Sequence, residues 1–594
     1  MLSTLRHGLV LLMVGVLSLA AWAAPAAATA STAAEGGQQG RLVSVAWLKK
    51  HRADVVLLDA SVTPHHLAGH IPGAVSADLY RYGVREPTRA AMAQRIQSWG
   101  VSPGRKVVVY DQGGDIMAPR LFYDLYYYGA AATNLYILDG GLAKWRAEGG
   151  AVTQEPTPLP ASGSFRVGAV RDEVRVRLPE FMAASGDRNG HVLVDALEPE
   201  HHFGAQKFFD RAGHVPNAVL MPSEDFFNAD KTFKSPEEIK RMARYLGIQS
   251  TQVVHTHCGG GVAAAVPWFA LKFLAGHPQT KLYLESQREW LRDDRGLPFW
   301  TYSAPQIQRH SAWLAGWNAP MLRAFGVAQI NIVDVRAATA YGLGHVPFAL
   351  NIPAETFRSH LRQPDTLAAL LGPAGVNPAH EVVLMADGGI TPNAALAFLA
   401  LEHLGHQKVS VLMDSPDDWA LRGFELTRKP TTVGANAGPT GMAVSAPTQI
   451  APNAPNAPNA PNAPNALAAQ PPQPPQPPQP PQTLQTTEWA PKRQAVLVTD
   501  PQATKGEFPK VFVASGKQAA ARVPAGRVVA LPYTELLNAD GTPKTAADLW
   551  KRIAQAGVPR HAEVILFADD PAEAAVNYYL FRLMGWPDVK VWVN

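Results

Sequence analysis

Cysteine is almost absent from this chain: its 594 residues contain one, Cys258. No internal disulfide can form, so each folded unit must be held by its apolar core. Charge is sparse too. Asp, Glu, Lys and Arg make up 17% of the residues, and the formal net charge is only +4. Without a basic stripe or a strong positive balance, nucleic acid is not an expected partner. Beyond the N-terminal segment no apolar run is long enough to span a bilayer, so no membrane partner is expected once that segment is removed.

The N-terminus has the three-part pattern of a secretory signal peptide. Arg6 and His7 precede an apolar run from Leu9 to about Ala21, and Ala21-Trp22-Ala23 fits a small-x-small cleavage site. Residues 1–30 are therefore read as a signal peptide, with an uncleaved anchor as the alternative. The expected location is the periplasm or outside the cell. There, an unpaired thiol points to a reactive group.

One stretch is of low complexity. Residues 451–465 repeat Ala-Pro-Asn and residues 470–482 repeat Pro-Pro-Gln. Such sequence cannot bury a core and reads as a polyproline-II spacer, or as a ligand for a proline-recognition module.

The rest of the chain repeats one plan four times. Val215-Pro216-Asn217-Ala218 is followed by Phe227-Asn228-Ala229-Asp230, a helical stretch, and an apolar run ending at Cys258. Val523-Pro524-Ala525-Gly526 is followed by Leu537-Asn538-Ala539-Asp540, a helical stretch, and a run ending at Asp569. Val346-Pro347-Phe348-Ala349 leads to Asp387, and Ile71-Pro72-Gly73-Ala74 leads to Asp111. Short apolar strands alternating with helical patterns predict an α/β fold, each unit a mainly parallel sheet flanked by helices. Reactive groups in such sheets lie at the carboxyl ends of strands. Cys258, Asp111, Asp387 and Asp569 all fall there.

Cys258 opens the loop Gly259-Gly260-Gly261-Val262-Ala263-Ala264. Successive glycines let backbone N–H groups converge, and the following helix aims its positive end at the same point. A thiol in that field ionises readily, and the thiolate is the nucleophile. The competing reading is a buried packing cysteine.

At these positions the chain resembles the rhodanese family of sulfurtransferases. Gly69-His70-Ile71-Pro72-Gly73-Ala74 and Leu138-Asp139-Gly140-Gly141 are similar to family signatures, and Ala212-Gly213-His214-Val215-Pro216-Asn217 is a looser match. The resemblance implies four rhodanese-like domains. Domain 1 (41–160) is inactive with Asp111, and domain 2 (170–302) is catalytic with Cys258. Domain 3 (307–430) is inactive with Asp387. A Pro-rich linker (431–491) then leads to a degenerate domain 4 (492–594) with Asp569.

It further implies a transferase that moves sulfane sulfur through a Cys258 persulfide. The partners would be a small anionic donor, thiosulfate or 3-mercaptopyruvate, and a cyanide or thiol acceptor, a partner protein among the candidates. The loop from Gly259 to Ala264 would cradle the sulfur. Asp59 and His70 match relay positions of mercaptopyruvate-type relatives, although His70 could simply tie its own turn. Gly260 and Ala263 stand where those relatives carry hydroxyls. Arg211 and Lys207 are the candidate donor clamps, with a solvated surface arginine as the alternative for Arg211.

No cofactor is expected. His255, His257 and Cys258 are too few and too close in sequence for a metal site, so none is expected. No arginine occupies the loop after Cys258, which argues against cysteine-phosphatase chemistry. The alternative to an enzyme is a non-catalytic periplasmic scaffold of rhodanese-like binding modules.

Overall fold

Five-residue runs rich in valine, leucine and isoleucine become the central strands of four sheets. The computed structural model describes residues 38–434, 483–518 and 520–593. The signal-peptide reading and both proline repeats lie outside the described residues.

In the first unit the strands lie in the order Gln38–Gln39, Leu42–Val43, Leu135–Leu138, Lys106–Tyr110, Val55–Asp59, Val75–Ser76. Only the outermost pair is antiparallel. The second sheet runs Arg175–Val176, Thr280–Tyr283, Val253–His257, His191–Asp195, Ala218–Leu220. The third places Glu381–Met385 beside Ile330–Asp334, and the fourth places Glu563–Phe567 beside Lys510–Ala514, each within the same five-strand order. These last three sheets are parallel throughout. The alternation seen in the sequence thus yields rhodanese-like α/β units, each a mainly parallel sheet between helices.

The units pair. Units 1 and 2 share one apolar cluster, in which Phe122 on the helix Met117–Tyr127 meets Phe269 on the helix Ala265–Phe269, ring centroids 4.9 Å apart. Units 3 and 4 share another. The helix Pro392–His403 buries Ala394 through Leu401 between the sheet of its own unit and the helix Pro571–Leu583. A helix apolar all round requires such cover.

The turn Asn228-Ala229-Asp230 of unit 2 meets unit 1, where Lys144 Nζ lies 2.6 Å from Asp230 Oδ2. Its counterpart in unit 4 meets unit 3, where the Ile390 N–H donates to Gly541 O at 2.8 Å. The approach is close enough that a side chain at Gly389 would sit 2.4 Å from the Gly541 backbone. The same turn makes the same kind of docking twice.

Units 2 and 4 join the two pairs. The Tyr245 hydroxyl donates to Ala562 O at 2.9 Å, Arg560 pairs with Asp225, and Phe203 stacks on Trp550. The ends of the segment read as a linker are tied together, since Thr432–Gly434 pairs in parallel with Thr483–Gln485. Unit 4 is therefore docked on unit 3 rather than held at a distance by a spacer. Among the described residues no helix is long and apolar enough to cross a membrane.

Candidate functional site

The strand Val253–His257 delivers Cys258 to the carboxyl edge of sheet 2, as the alternation of apolar strand and glycine loop predicts. Its backbone N–H donates to Ser286 Oγ at 3.1 Å, and that hydroxyl donates to Tyr283 O at 2.7 Å. The N–H groups of Gln287 and Arg288 close on the carbonyls of Cys258 and Gly259 at 2.9 and 2.8 Å. The Gly261 N–H donates to Cys258 Sγ at 3.1 Å. Gly261 has φ of +80°, and a Cβ there would lie 2.3 Å from Leu284 O. Only glycine turns this corner without strain. Arg120 reaches across from unit 1 and donates to Gly261 O at 3.3 Å. Gly259 and Ala264 are buried, and Gly260, Val262 and Ala263 are partly so.

The sulfur does not face solvent. Cys258 is 2% exposed and belongs to the apolar cluster shared by units 1 and 2. Persulfide chemistry needs a thiolate that donor and acceptor can both reach. One cysteine in the chain, and that one buried, overturns the sulfurtransferase expectation. The expected sulfur donor and the thiol or cyanide acceptor fall with it. The local charge agrees. His257, directly before the thiol, is held down to about 4 by burial against the pull of Asp195, so it offers no imidazolium.

The other residues singled out in the sequence are placed as follows. The Arg211 guanidinium donates to the carbonyls of Trp290 and Arg292 at 2.6 and 2.9 Å, and to that of Leu297. Lys207 is exposed, with Nζ 3.4 Å from Asp210 O. Asp59 accepts from the Tyr110 hydroxyl at 3.1 Å and faces His66 Nδ1 at 2.8 Å. His70 donates through Nδ1 to His66 O at 2.9 Å and stacks on the His66 ring. Asp59 and His70 are thus engaged within unit 1.

Aspartate fills the equivalent position in unit 1 alone: strand pairing puts Ala386 of unit 3 and Ala568 of unit 4 in the place of Cys258, with the expected Asp387 and Asp569 one residue further on. In unit 1 the cradle N–H groups are taken by the side chain itself. Gly113 and Ala118 donate to the Asp111 carboxylate at 2.9 and 2.8 Å. Burial, with Asp115 nearby, pushes Asp111 up to about 7. Asp387 and Asp569 are exposed.

Two features escaped the sequence reading. The first is a histidine cluster beneath the Cys258 loop. His202 and His214 stack at 3.6 Å, and His202 Nδ1 lies 2.9 Å from Asp195 Oδ2. Nε2 of both rings and both ring nitrogens of His257 lack hydrogen-bond partners, with Asp195 Oδ1 3.9 Å from His257 Nδ1. Among the described residues no His, Cys, Asp and Glu group has the arrangement to hold a metal. The second is a cavity of about 740 Å³ where units 2, 3 and 4 meet, with Arg188, Arg309, Glu402, His406, Trp550 and Arg582 among its walls. Its residues come from distant stretches, so no motif marks it. The repeated Asn-Ala-Asp turn was the one available hint that unit 4 docks on unit 3 as unit 2 docks on unit 1.

Residues 44–148, 178–293 and 319–422 match the Rhodanese-like domain. The chain is 34% identical over 239 residues to a probable 3-mercaptopyruvate sulfurtransferase of Pseudomonas aeruginosa, covering 38% of this chain and 82% of that protein. It is 30% identical over 276 residues to the sulfur carrier protein TtuD of Thermus thermophilus, covering 42% and 93%. A thiosulfate sulfurtransferase of Bos taurus is also 30% identical over 276 residues, covering 42% and 91%. Among solved structures, the anaerobic ergothioneine biosynthesis enzyme from Chlorobium limicola aligns at a TM-score of 0.40 and 22% identity. That alignment covers 45% of this chain and 71% of the other. Kinship to the thiosulfate and 3-mercaptopyruvate sulfurtransferases holds at the level of the family. The chain belongs to the rhodanese family, as a tandem rhodanese-domain protein.

Proposed function

We propose that this chain is a non-catalytic binding scaffold built of rhodanese-like modules, with domains at 41–160, 170–302, 307–430 and 492–594. The observation that carries this reading is the burial of Cys258, 2% exposed in a chain with no second thiol. The other three cradles support it, since neither Ala386 and Ala568 of units 3 and 4 nor the Asp111 carboxylate of unit 1 can form a persulfide. In unit 1 that carboxylate occupies the N–H groups an anion would need. Families often keep a fold while the site changes its use. The Ala21-Trp22-Ala23 cleavage pattern supports export to the periplasm or beyond.

Intact mass tests the reading. The purified full chain is incubated with thiosulfate, and separately with 3-mercaptopyruvate. The expected result is an unchanged mass with Cys258 still free and reduced. A gain of one sulfur that disappears in Cys258→Ser would overturn it.

A further inference from the structure

The cavity between units 2, 3 and 4 has a charge pattern that a water-filled junction does not need. Its two carboxylates are already satisfied. Glu381 takes a two-point pair from Arg309 at 2.8 and 3.0 Å. Glu402 takes one from Arg582 at 3.2 and 3.3 Å, and the Tyr578 hydroxyl donates to it at 2.5 Å. Two further cations, Arg188 and Lys408, both exposed, line the cavity, and among the described residues neither has a carboxylate within ion-pair distance. An arginine with no carboxylate partner has its guanidinium donors free for an anion.

The walls also carry uncommitted polar atoms. His406 is 7% exposed, and its Nε2 has no partner. Burial keeps that ring neutral at physiological pH. Gln306 Oε1 is buried and likewise unpartnered. Beside them stands a stack of aromatic rings. Phe203, Trp550 and Trp586 stack in sequence at 5.5 and 6.1 Å with interplanar angles of 22° and 27°. Phe203 and Trp586 are buried, whereas Trp550 is only partly covered, and it lines the cavity. A volume of about 740 Å³ lies within the range of small-molecule sites, and a few polar groups among aromatic walls is their usual composition.

We propose that this cavity binds a flat aromatic anion, a carboxylate or sulfonate, with its ring against Trp550 and its charge toward Arg188. The proposal rests on the scaffold reading and names a ligand class for it. Anilinonaphthalene sulfonate is a suitable probe, with uncharged phenylnaphthylamine as its control. In fluorescence titrations of the full chain, the sulfonate is expected to saturate one site and bind at least about tenfold more tightly than the control. Arg188→Gln should weaken the sulfonate about tenfold and leave the control unchanged. The melting temperature should hold, because the Arg188 side chain forms no ion pair in the fold. Trp550→Leu should weaken both probes. Equal affinity for sulfonate and control, or an Arg188→Gln protein that binds the sulfonate as well as the parent, would overturn the proposal. Neither result bears on sulfur loading at Cys258, so the two readings can fail separately.

Discussion

Four buried histidines of unit 2 make the N-terminal pair sensitive to acid. Burial holds His202 and His255 down to about 3 and His257 to about 4, and it puts His214 well below the usual range. In the unfolded chain each titrates near 6.5. As pH falls below 6.5 the unfolded state takes up protons that the fold refuses, so stability present above 6.5 is lost toward pH 4. Asp111, raised to about 7, and Asp139, raised to about 6, act in the opposite sense. The fold holds their protons at pH values where the unfolded chain has released them. Four protons against two leave a net loss of roughly 3 kcal/mol per pH unit between about pH 6 and 5. Urea unfolding at pH 7 and pH 5, followed by tryptophan fluorescence, should show a clearly lower midpoint at pH 5. Equal midpoints would contradict the buried neutral state. The position of Cys258 at a strand end and the turn made by Gly261 were legible from sequence, because both depend on neighbours along the chain. The burial of the thiol was not, since it depends on the apolar face of another unit. The same holds for Arg211, whose acceptor carbonyls lie some 80 residues away.

At the scale of elements, strands and helices followed from hydrophobic periodicity, and the four-fold repeat marked where each sheet would form. The pairing of Thr432–Gly434 with Thr483–Gln485 carried no such signal, because two three-residue strands have almost no pattern of their own. Beyond the second strand the chain stays on unit 3. Thr487 and Trp489 both donate to Val376 O, and the Lys492 N–H reaches Leu404 O at 2.9 Å. These contacts anchor on unit 3 the stretch that leads into unit 4 and follows residues 435–482. Replacing that segment with about twelve residues of glycine and serine, enough for a parallel crossover, should change stability by no more than about 1 kcal/mol. Thermal unfolding of the replacement and the parent checks this. A large loss of stability would assign the segment a structural role.

At the scale of the whole molecule, the folding unit is the pair rather than the single domain. The sequence revealed four similar modules but not their grouping, because the pairing surface is a set of apolar residues that reads as ordinary core. Phe398 on the helix Pro392–His403 is fully buried and meets Tyr579 of unit 4, ring centroids 5.1 Å apart. Its burial contributes about 2 kcal/mol, as an upper estimate. A chain ending at Gly434 would keep unit 3 but bare this helix, and it is expected to aggregate or to bind hydrophobic dyes. A chain ending at Tyr302 keeps the complete core of units 1 and 2 and should remain monomeric. Size-exclusion chromatography of the two truncations distinguishes them. A monodisperse product ending at Gly434 would refute the shared core.

The shared core also sets a clock on synthesis. The apolar helix ending at His403 leaves the ribosome long before its cover, which begins about 170 residues later at Pro571. At about 5–20 residues per second, it waits roughly 10–30 s without a partner. During that interval the nascent chain carries an apolar helix face that the finished protein buries. Its yield in the cell therefore depends on what shields that helix while the last domain is being made.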